Sequence, residues 1–305
     1  MLSLTISPSA AAQLCQPLAD LLAEEGLARL RDPTTLLAVG QVSAQSTNPQ
    51  AQQFFEQARQ AHAEGDAQKA IDLYRKAIEA DPQFVEAYLK LGELLAVLDR
   101  FDEARTVYQK AKEIAPRRGD VRAWLVYVLF KLGDYSAAVE EGQNARPFVT
   151  PGDLATVAYY VGLAHERLGN LEEAARWLNE AASIEAGGLS GLAEMALIDV
   201  YQRMLTQRRD PELTLKVAVL LYRRERYTEA LITLQALTTD APRYAPAFYW
   251  LGLVNMRIAE GFTSPAVRRR YLLDARRAFE RYLELAPNGE FAGEVRRLLQ
   301  TLPSP

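Results

Sequence analysis

Small, large and turn-forming residues recur in a fixed order along the chain. In five of six copies a short turn comes first and an alanine follows four or five residues later; in five of six a large apolar residue stands four positions after that alanine. This order predicts two helices joined by a tight turn, and the repeated alanines mark the second helix of each pair. They are Ala70, Ala104, Ala138, Ala174, Ala230 and Ala275, at spacings of 34, 34, 36, 56 and 45 residues.

Each position in this pattern has a physical role. A glycine just past a helix end adopts the left-handed backbone conformation that caps the helix, and a proline after the second helix ends it because proline has no N–H to donate. Small residues of the first helix, Ala58, Gly92 and Gly162, let the two helix axes approach. One such pair cannot bury its apolar face alone, so we expect the pairs to stack side by side.

The repeated pattern covers most of the chain. We assign six helix pairs at residues 51–84, 85–118, 119–152, 155–188, 211–244 and 245–288. Between the fourth and fifth pairs the apolar periodicity predicts a helix without a partner helix of its own. The predicted domains are residues 1–50 (N-terminal helical extension and linker), 51–188 (four repeats), 189–210 (inserted helix), 211–288 (two repeats, the last with a long turn) and 289–305 (C-terminal capping helix).

The spacing and residue types resemble the tetratricopeptide repeat family. The resemblance implies an all-α, right-handed superhelical solenoid of antiparallel helix pairs whose concave surface binds peptides or partner helices. It also implies that the second, fifth, ninth, twelfth and thirteenth positions of each first helix face that groove. The candidate groove residues are then Phe55, Arg59, Leu89, Tyr127, Phe130, Tyr159, Leu163, Arg167, Val219, Tyr222, Arg223, Tyr249, Met256 and Arg257. Tyrosine with arginine is typical of binding hot spots, whereas packing between helices is the alternative, for Tyr127 and Tyr222 especially.

Charge is distributed unevenly along the chain. The formal net charge is -4, with residues 1–202 at -10 and residues 203–305 at +6. Arginine pairs and the triplet Arg268 to Arg270 concentrate in the second part and leave open a contact with nucleic acid or with an acidic protein. Acidic residues are interleaved with them at helical spacing, which favours solvated and mutually paired faces and makes nucleic acid the less favoured partner.

No catalytic or cofactor motif occurs in the sequence. It contains no P-loop, no dinucleotide-binding glycine pattern and no nucleophile elbow. His62 and His165, the only histidines, lie in different repeats, and His165 occupies a position where a packing residue is expected. Cys15 is the single cysteine, which excludes an internal disulfide and a cysteine-based metal site within one chain. We therefore expect no enzyme activity, no cofactor and no metal.

The N-terminal 50 residues lie outside the repeats. Four leucines, Leu14, Leu18, Leu21 and Leu22, fall on one helical face. We expect this helix to cap the first repeat, with occupation of the groove as the alternative. The segment lacks the basic start and continuous apolar core of a secretory signal, and no window offers ~20 uncharged apolar residues. The sequence therefore predicts a cytoplasmic protein without a membrane span.

These features together predict a non-enzymatic scaffold or adaptor that binds a protein or peptide segment in its groove. A rigid stack presents anchors in fixed positions, so the partner's segment bears most of the ordering entropy. Two alternatives stay open. One is a subunit or assembly factor of a larger complex, such as pilus, secretion or envelope machinery, and the other is a regulator that contacts nucleic acid through the arginine-rich C-terminal block.

Overall fold

The protein, here as a computed structural model, is described for residues 46–186 and 188–304, and this part of the chain is built from α-helices without strands. The predicted all-α class with tetratricopeptide-like helix pairs is confirmed, whereas the predicted N-terminal helix lies outside the described residues. The helices are α1 (Pro49–Ala63), α2 (Ala67–Ala80), α3 (Val85–Val97), α4 (Phe101–Ile114), α5 (Gly119–Lys131), α6 (Tyr135–Ala145), α7 (Pro151–Arg167), α8 (Leu171–Ser183), α9 (Ser190–Gln207), α10 (Pro211–Arg223), α11 (Tyr227–Asp240), α12 (Ala245–Glu260), α13 (Pro265–Leu285) and α14 (Ala292–Thr301).

The turn between the two helices of a pair contains one residue in the left-handed region. Gly65, Gly133 and Gly169 take φ values of 83°, 78° and 80°, as the sequence predicts for a glycine at a helix end. Asp99 and Glu225 take φ values of 56° and 58° in the same turn of their own pairs. A side chain in this region is disfavoured, so the repeat geometry imposes the conformation at these two positions.

Aspartate side chains begin several of the helices. Asp66, Asp134 and Asp210 accept hydrogen bonds from backbone N–H groups in the first turn of α2, α6 and α10. Each carboxylate satisfies an amide that has no partner within its helix, and it also meets the positive end of the helix dipole. The sequence thus encodes the start of the helix as well as the turn before it.

The interior of each pair is filled by one large side chain packed against a small residue. The large residues predicted to fill these spaces are 0% exposed: Tyr74, Tyr108, Leu178, Leu234 and Phe279. A Cβ atom added to Gly92 would lie 2.6 Å from Tyr108 Cζ, one added to Gly162 would lie 2.7 Å from Leu178 Cγ, and one added to Gly252 would overlap the Phe279 ring. Glycine is required at these positions because the second helix leaves no room for a methyl group.

The chain divides into two compact units. Unit 1 runs to Val157 and includes Ile184–Leu189, and unit 2 comprises Ala158–Ser183 and the chain from Ser190 onwards. Unit 1 holds α1 to α6 and the start of α7, and unit 2 holds the rest of α7 and α8 to α14. The domain boundaries proposed from the sequence stay a prediction, since the division into units falls inside a helix.

Two details differ from the sequence interpretation. Helix α7 begins at Pro151, four residues before the predicted start of the fourth repeat, because proline is favoured in a first turn and Thr150 Oγ1 accepts from the amide of Asp153. Helix α9 is not without a partner, since it packs against both α8 and α10. Its Tyr201 hydroxyl accepts a hydrogen bond from Asn179 on α8 at 2.7 Å.

No helix within the described ranges is both long enough and apolar enough to cross a membrane.

Candidate functional site

Four of the predicted groove residues pack inside the helix pairs: Phe55, Leu89, Tyr127 and Tyr249. The Phe55 ring lies 4.8 Å from the ring of Phe84, and the Tyr249 ring stacks on Phe291 at 4.0 Å between centroids. The Tyr249 hydroxyl also donates to Glu294 at 3.0 Å. These side chains hold neighbouring helices together, so their assignment to a partner-binding surface is wrong. Phe55, Leu89 and Tyr249 occupy the fifth position of their repeats, which turns toward the adjoining helices, whereas Tyr127 occupies the ninth.

Counted from the repeat starts at residues 51, 85, 119, 211 and 245, the second, sixth, ninth and thirteenth positions form the exposed side of the first helices. Their spacing of four, three and four residues places them along one face of a helix. In unit 1, which we call stripe 1, these residues are Gln52, Glu56, Arg59, Ala63, Glu86, Lys90, Glu93, Val97, Asp120, Trp124, Tyr127 and Lys131. In unit 2, stripe 2 comprises Glu212, Lys216, Val219, Arg223, Pro246, Trp250, Leu253 and Arg257. Except for Tyr127, none of them is buried.

Each unit has two successive first helices that are direct neighbours. Helix α3 contacts α5 in unit 1, and α10 contacts α12 in unit 2. Each stripe therefore continues from one repeat to the next within its unit. A partner segment that follows the stripe would meet side chains at intervals set by the repeat.

Stripe 1 is dominated by charges that pair with one another. The pairs are Arg59–Glu56 at 3.1 Å, Lys90–Glu93 at 2.8 Å and Arg118–Glu86 at 3.1 Å, with Arg118 just before α5. Because Arg59 and Lys90 already have carboxylate partners, they offer a peptide solvated ion pairs that contribute little binding energy. Its acidic and basic groups nearly balance.

The aromatic residues of stripe 1 are held by their own unit. Trp124 stacks on Tyr108 with 6.0 Å between ring centroids and meets Tyr127 edge-on at 5.8 Å. Lys131 lies over the ring of Phe101, 5.4 Å from its centroid. Burial raises the pKa of Tyr127 to about 12, as expected for a phenol inside the helix stack.

Stripe 2 is built around an aromatic and arginine cluster that links α10 to α12. The rings of Tyr222 and Trp250 meet edge-on with 5.4 Å between centroids. Arg257 donates from Nε to the Tyr222 hydroxyl at 3.1 Å and from Nη1 to Glu260 at 3.1 Å. These hydrogen bonds, the one to Tyr222 first, raise the pKa of Arg257 above its ordinary value. Tyr222 thus contacts both the tryptophan and an arginine of stripe 2.

Apolar side chains surround this cluster. Val219 is half-buried on α10, and Leu253 and Met256 are half-buried on α12, where they pack against the buried core at the C-terminal end of unit 2. One side of Leu253 and Met256 is thus anchored while the other contacts solvent. A partner's apolar side chain can cover such an exposed apolar area next to an arginine.

A second arginine, Arg223, is fixed from outside the stripe. Its Nη2 lies 2.6 Å from the carboxylate of Glu194 on α9, whose side chain is buried. The Arg223 side chain is still 58% exposed. Since a guanidinium has five N–H donors, Arg223 keeps donors for an acidic or carbonyl group of a partner.

The remaining candidates lie elsewhere. Tyr159, Leu163 and Arg167 lie on α7, where Tyr159 is half-buried and burial raises its pKa to about 12, while Arg167 is exposed. Arg59 and Phe130 belong to unit 1. Of the predicted groove residues, the structure brings together Val219, Tyr222, Arg223, Met256 and Arg257 around stripe 2.

Sequence reasoning missed Trp250, the largest side chain of stripe 2. Trp250 occupies the sixth position of α12, next to the fifth position that the family resemblance favours. The spacing of three and four residues from Pro246 through Trp250 and Leu253 to Arg257 was a signal that could have found it.

The described residues hold no cluster of metal-ligand side chains. None of their His, Cys, Asp and Glu side chains form a group of three that could bind a metal ion. His165 is buried as predicted, and neither of its ring nitrogens has a hydrogen-bond partner among these residues. Burial lowers its pKa. It is a packing residue in the helix stack.

The stacked helix pairs define the class: this is an α-helical repeat protein. The profile described as "Tetratricopeptide repeat" matches residues 61–118. The described chain outside that match is also built from helix pairs, so its fold is of the tetratricopeptide-repeat type.

Comparison with known proteins gives distant relatives. Protein O-mannosyl-transferase TMTC3 of Homo sapiens is 24% identical over 235 residues, which are 72% of this chain and 25% of that protein. The chain thus spans about a quarter of that relative's length. The structure of the MamA RS-1 ArsTM double mutant is 20% identical, has a TM-score of 0.50 and covers 59% of this chain and 98% of its own. YrrB, a TPR protein with an unusual peptide-binding site, is 17% identical with a TM-score of 0.35, covering 73% of this chain and 97% of its own. Likenesses at this level concern the fold.

Proposed function

We propose that this protein is a non-enzymatic interaction scaffold that binds a peptide or a partner helix along stripe 2. The tetratricopeptide repeat fold is in general a support for protein binding rather than for catalysis. The specific claim is that unit 2, and not unit 1, carries the main binding surface. We place the protein in the cytoplasm on the sequence argument alone.

The observation that carries this proposal is the cluster of Tyr222, Trp250 and Arg257. It joins two first helices, it is fixed by a hydrogen bond and an edge-on ring contact, and its members stay partly or fully exposed. Large aromatic side chains and arginine dominate binding energy in protein interfaces. A cluster fixed before binding costs little entropy when the partner arrives.

The chemistry of stripe 2 suggests the kind of segment that fits. Val219, Trp250 and Leu253 would contact apolar side chains of the partner. Arg223 and Arg257 favour acidic groups next to those apolar side chains. An amphipathic helix or an extended segment with alternating apolar and acidic residues meets both requirements.

A peptide-display selection against the full chain tests the proposal. We expect enriched peptides that combine apolar and acidic residues. Affinity of a selected peptide is then measured for the wild type, Trp250→Ala and Trp124→Ala. The two tryptophans occupy the same position of their repeats, so Trp124→Ala is a matched control. Trp250→Ala should weaken binding by about 30-fold or more, the loss typical of a hot-spot residue, and Trp124→Ala should leave it unchanged.

Circular dichroism and thermal unfolding verify that both variants keep the helical fold. Selected peptides that bind equally well to Trp250→Ala and to the wild type would contradict the proposal. A loss confined to Trp124→Ala would move the site to unit 1.

Nucleic acid is less well supported as the partner of the C-terminal block. Three of its arginines already pair with carboxylates on α13: Arg276–Glu280 at 3.2 Å, Arg277–Asp274 at 3.3 Å and Arg281–Glu284 at 2.7 Å. A face of alternating paired charges presents little net positive potential to phosphates.

A further inference from the structure

The last helix pair extends beyond the length of the others. Helix α13 has 21 residues, whereas the second helices of the other pairs have between 11 and 14. Seven additional residues lengthen a helix by roughly 10 Å. Residues 261–270, at the turn and the start of α13, are all exposed. We call residues 261–271 the extension.

The extension carries a patch of apolar side chains. Phe262 is 41% exposed and Val267 is 37% exposed. The Phe262 ring stacks on the ring of Tyr271 with 5.5 Å between centroids and 8° between planes. Val267 and Tyr271 are one helical turn apart and lie on the same side of α13. The three side chains therefore form one continuous apolar surface.

Arginines flank this surface. At 100° per residue, Arg268 and Arg270 lie on either side of the Val267–Tyr271 line, and neither side chain forms an ion pair or hydrogen bond within the described chain. Residues 261–273 contain three arginines and no Asp or Glu. No acidic residue occurs in the first turn of α13 either. The arginines thus repel one another and the positive end of the helix dipole, which an anionic partner would relieve.

The base of the extension is fixed to the end of the chain. Arg276 donates to the backbone oxygens of Leu299, Leu302 and Pro303 at 2.7 to 2.9 Å, and Leu302 is buried. Arg269 turns away from the apolar patch toward the Ser304 oxygen, 3.5 Å away. Arg269 and Arg276 therefore form hydrogen bonds within the protein, whereas Arg268 and Arg270 are available to bind a partner.

We propose that the extension docks the protein onto the surface of an anionic phospholipid bilayer. In this arrangement Phe262 and Val267 enter the boundary between headgroups and acyl chains, and Arg268 and Arg270 contact lipid phosphates. Apolar and basic side chains on one short exposed segment are typical of proteins that lie on a membrane without crossing it. This inference is independent of peptide binding at stripe 2.

The observations favour a bilayer over the other anionic partners. A nucleic-acid strand would be bound by the arginines but would leave the apolar patch uncovered, and the stacked rings of Phe262 and Tyr271 cover each other's faces, which limits base stacking. An acidic peptide is usually held in a groove, whereas the extension is exposed along every residue from 261 to 270. A bilayer surface meets the apolar and the basic side chains together.

Vesicle co-sedimentation of the full chain tests the proposal. We expect binding to phosphatidylcholine vesicles that contain phosphatidylglycerol, weakened by salt, and little binding to phosphatidylcholine alone. The double variant Arg268→Gln/Arg270→Gln should reduce partitioning by about tenfold or more, and Phe262→Ser/Val267→Ser should reduce it as well. Glutamine keeps the helix propensity of arginine, so α13 is retained.

Matched controls remove the same groups elsewhere. Arg105→Gln/Arg176→Gln removes two charges from exposed ion pairs, and Ile232→Ser removes an apolar side chain that is 62% exposed on α11. Both controls should bind anionic vesicles like the wild type. Phe262→Trp provides a direct readout, since insertion shifts its fluorescence emission to shorter wavelength on anionic vesicles.

Three results would overturn the proposal. One is the absence of binding that depends on phosphatidylglycerol. Another is an equal loss in the extension variants and their controls, with no shift in Phe262→Trp emission. The third is extension-dependent binding to an oligonucleotide or to polyglutamate without binding to vesicles, which would assign the surface to that polyanion.

Discussion

Units 1 and 2 are built from the same kind of helix pair, but the exposed side of their first helices carries different side chains. In stripe 1 the exposed side of the first helices carries ion pairs such as Lys90–Glu93, and its tryptophan, Trp124, stacks on a buried tyrosine. In stripe 2 the corresponding tryptophan, Trp250, contacts Tyr222 beside the exposed guanidinium of Arg257. Ion pairs occur in both stripes, Arg257 with Glu260 among them, and the aromatic and arginine cluster of stripe 2 is what we propose a partner contacts.

The difference shows that the interior and the stripe of a repeat vary independently. The interior is constrained by contact: Gly92 faces Tyr108 in unit 1 as Gly252 faces Phe279 in unit 2. The stripe is constrained only by solubility and by a partner, so its residues can change without loss of the fold. Function in this protein is accordingly read from the stripes and not from the repeated positions.

The largest expected effect comes from filling the close contact in each unit. Gly252→Ala places a methyl group into the Phe279 ring, and Gly92→Ala places one against Tyr108. Each should destabilise the protein by about 1–3 kcal/mol, the usual cost of overpacking. In native-state hydrogen exchange, Gly252→Ala should reduce protection in α12 and α13, and Gly92→Ala in α3 and α4.

Because stacked repeats depend mainly on their neighbours, these losses should stay within the altered unit. Loss of protection spread evenly over both units in either variant would show that the two units unfold together. Units 1 and 2 would then differ in their exposed side chains but not in their stability.

Charge reversal at the thirteenth position should separate the two stripes by a smaller amount. Arg257→Glu removes the donor to Tyr222 and introduces repulsion toward an acidic peptide, so binding of a selected peptide should weaken about tenfold. Lys131→Glu changes the same repeat position in unit 1 and should leave affinity within about twofold. Isothermal titration calorimetry measures both, and a larger loss for Lys131→Glu would reverse the assignment of the site.

The smallest expected effect is the pH dependence that His165 contributes to the stability of unit 2. Burial lowers the pKa of His165, with Glu173 acting weakly in the opposite direction. The unfolded chain then binds the proton more tightly than the folded protein, so stability is complete above a pH of about 6.5 and declines as the pH falls toward the folded-state pKa. We expect a loss of about 1 kcal/mol or less at pH 5.5.

The histidine's share is obtained by comparing the wild type with His165→Gln. Burial raises the pKa of Asp199 in the same unit, which favours the folded protein as the pH falls, and this contribution is common to both proteins. Thermal unfolding between pH 5.5 and 7.5 should show a steeper decline for the wild type. Parallel curves would mean that His165 titrates normally and is not held in the packed environment described.

The helix pairs could be predicted from sequence because their determinants are local. Gly65 and Gly133 end their helices through backbone conformation, and the alanines and glycines facing Tyr108 or Leu178 are recognisable by spacing alone. Helix α9 was predicted as a helix, but its packing on α8 and α10 depends on which of its faces meet other helices. That information is not contained in the periodicity of one segment.

The proposed binding surface agrees only in part with the residues chosen from the sequence. Tyr222, Arg223 and Arg257 belong to both sets because they lie near the end of a first helix, on its exposed side. Phe55 and Tyr249 were assigned to the groove because the family resemblance places the fifth position there, and their residue type did not argue against it, since aromatic residues suit both a core and a binding site. Adjacent positions differ by about 100° around a helix, so choosing the fifth position over the sixth exchanged a buried Tyr249 for the half-buried Trp250.

Hydrogen–deuterium exchange of the full chain with and without a saturating selected peptide tests the central claim most directly. The account predicts additional protection in α10 and α12, around Tyr222 and Trp250, and no change in α3 and α5. Protection that appears on α3 and α5 while α10 and α12 exchange as in the free protein would contradict it.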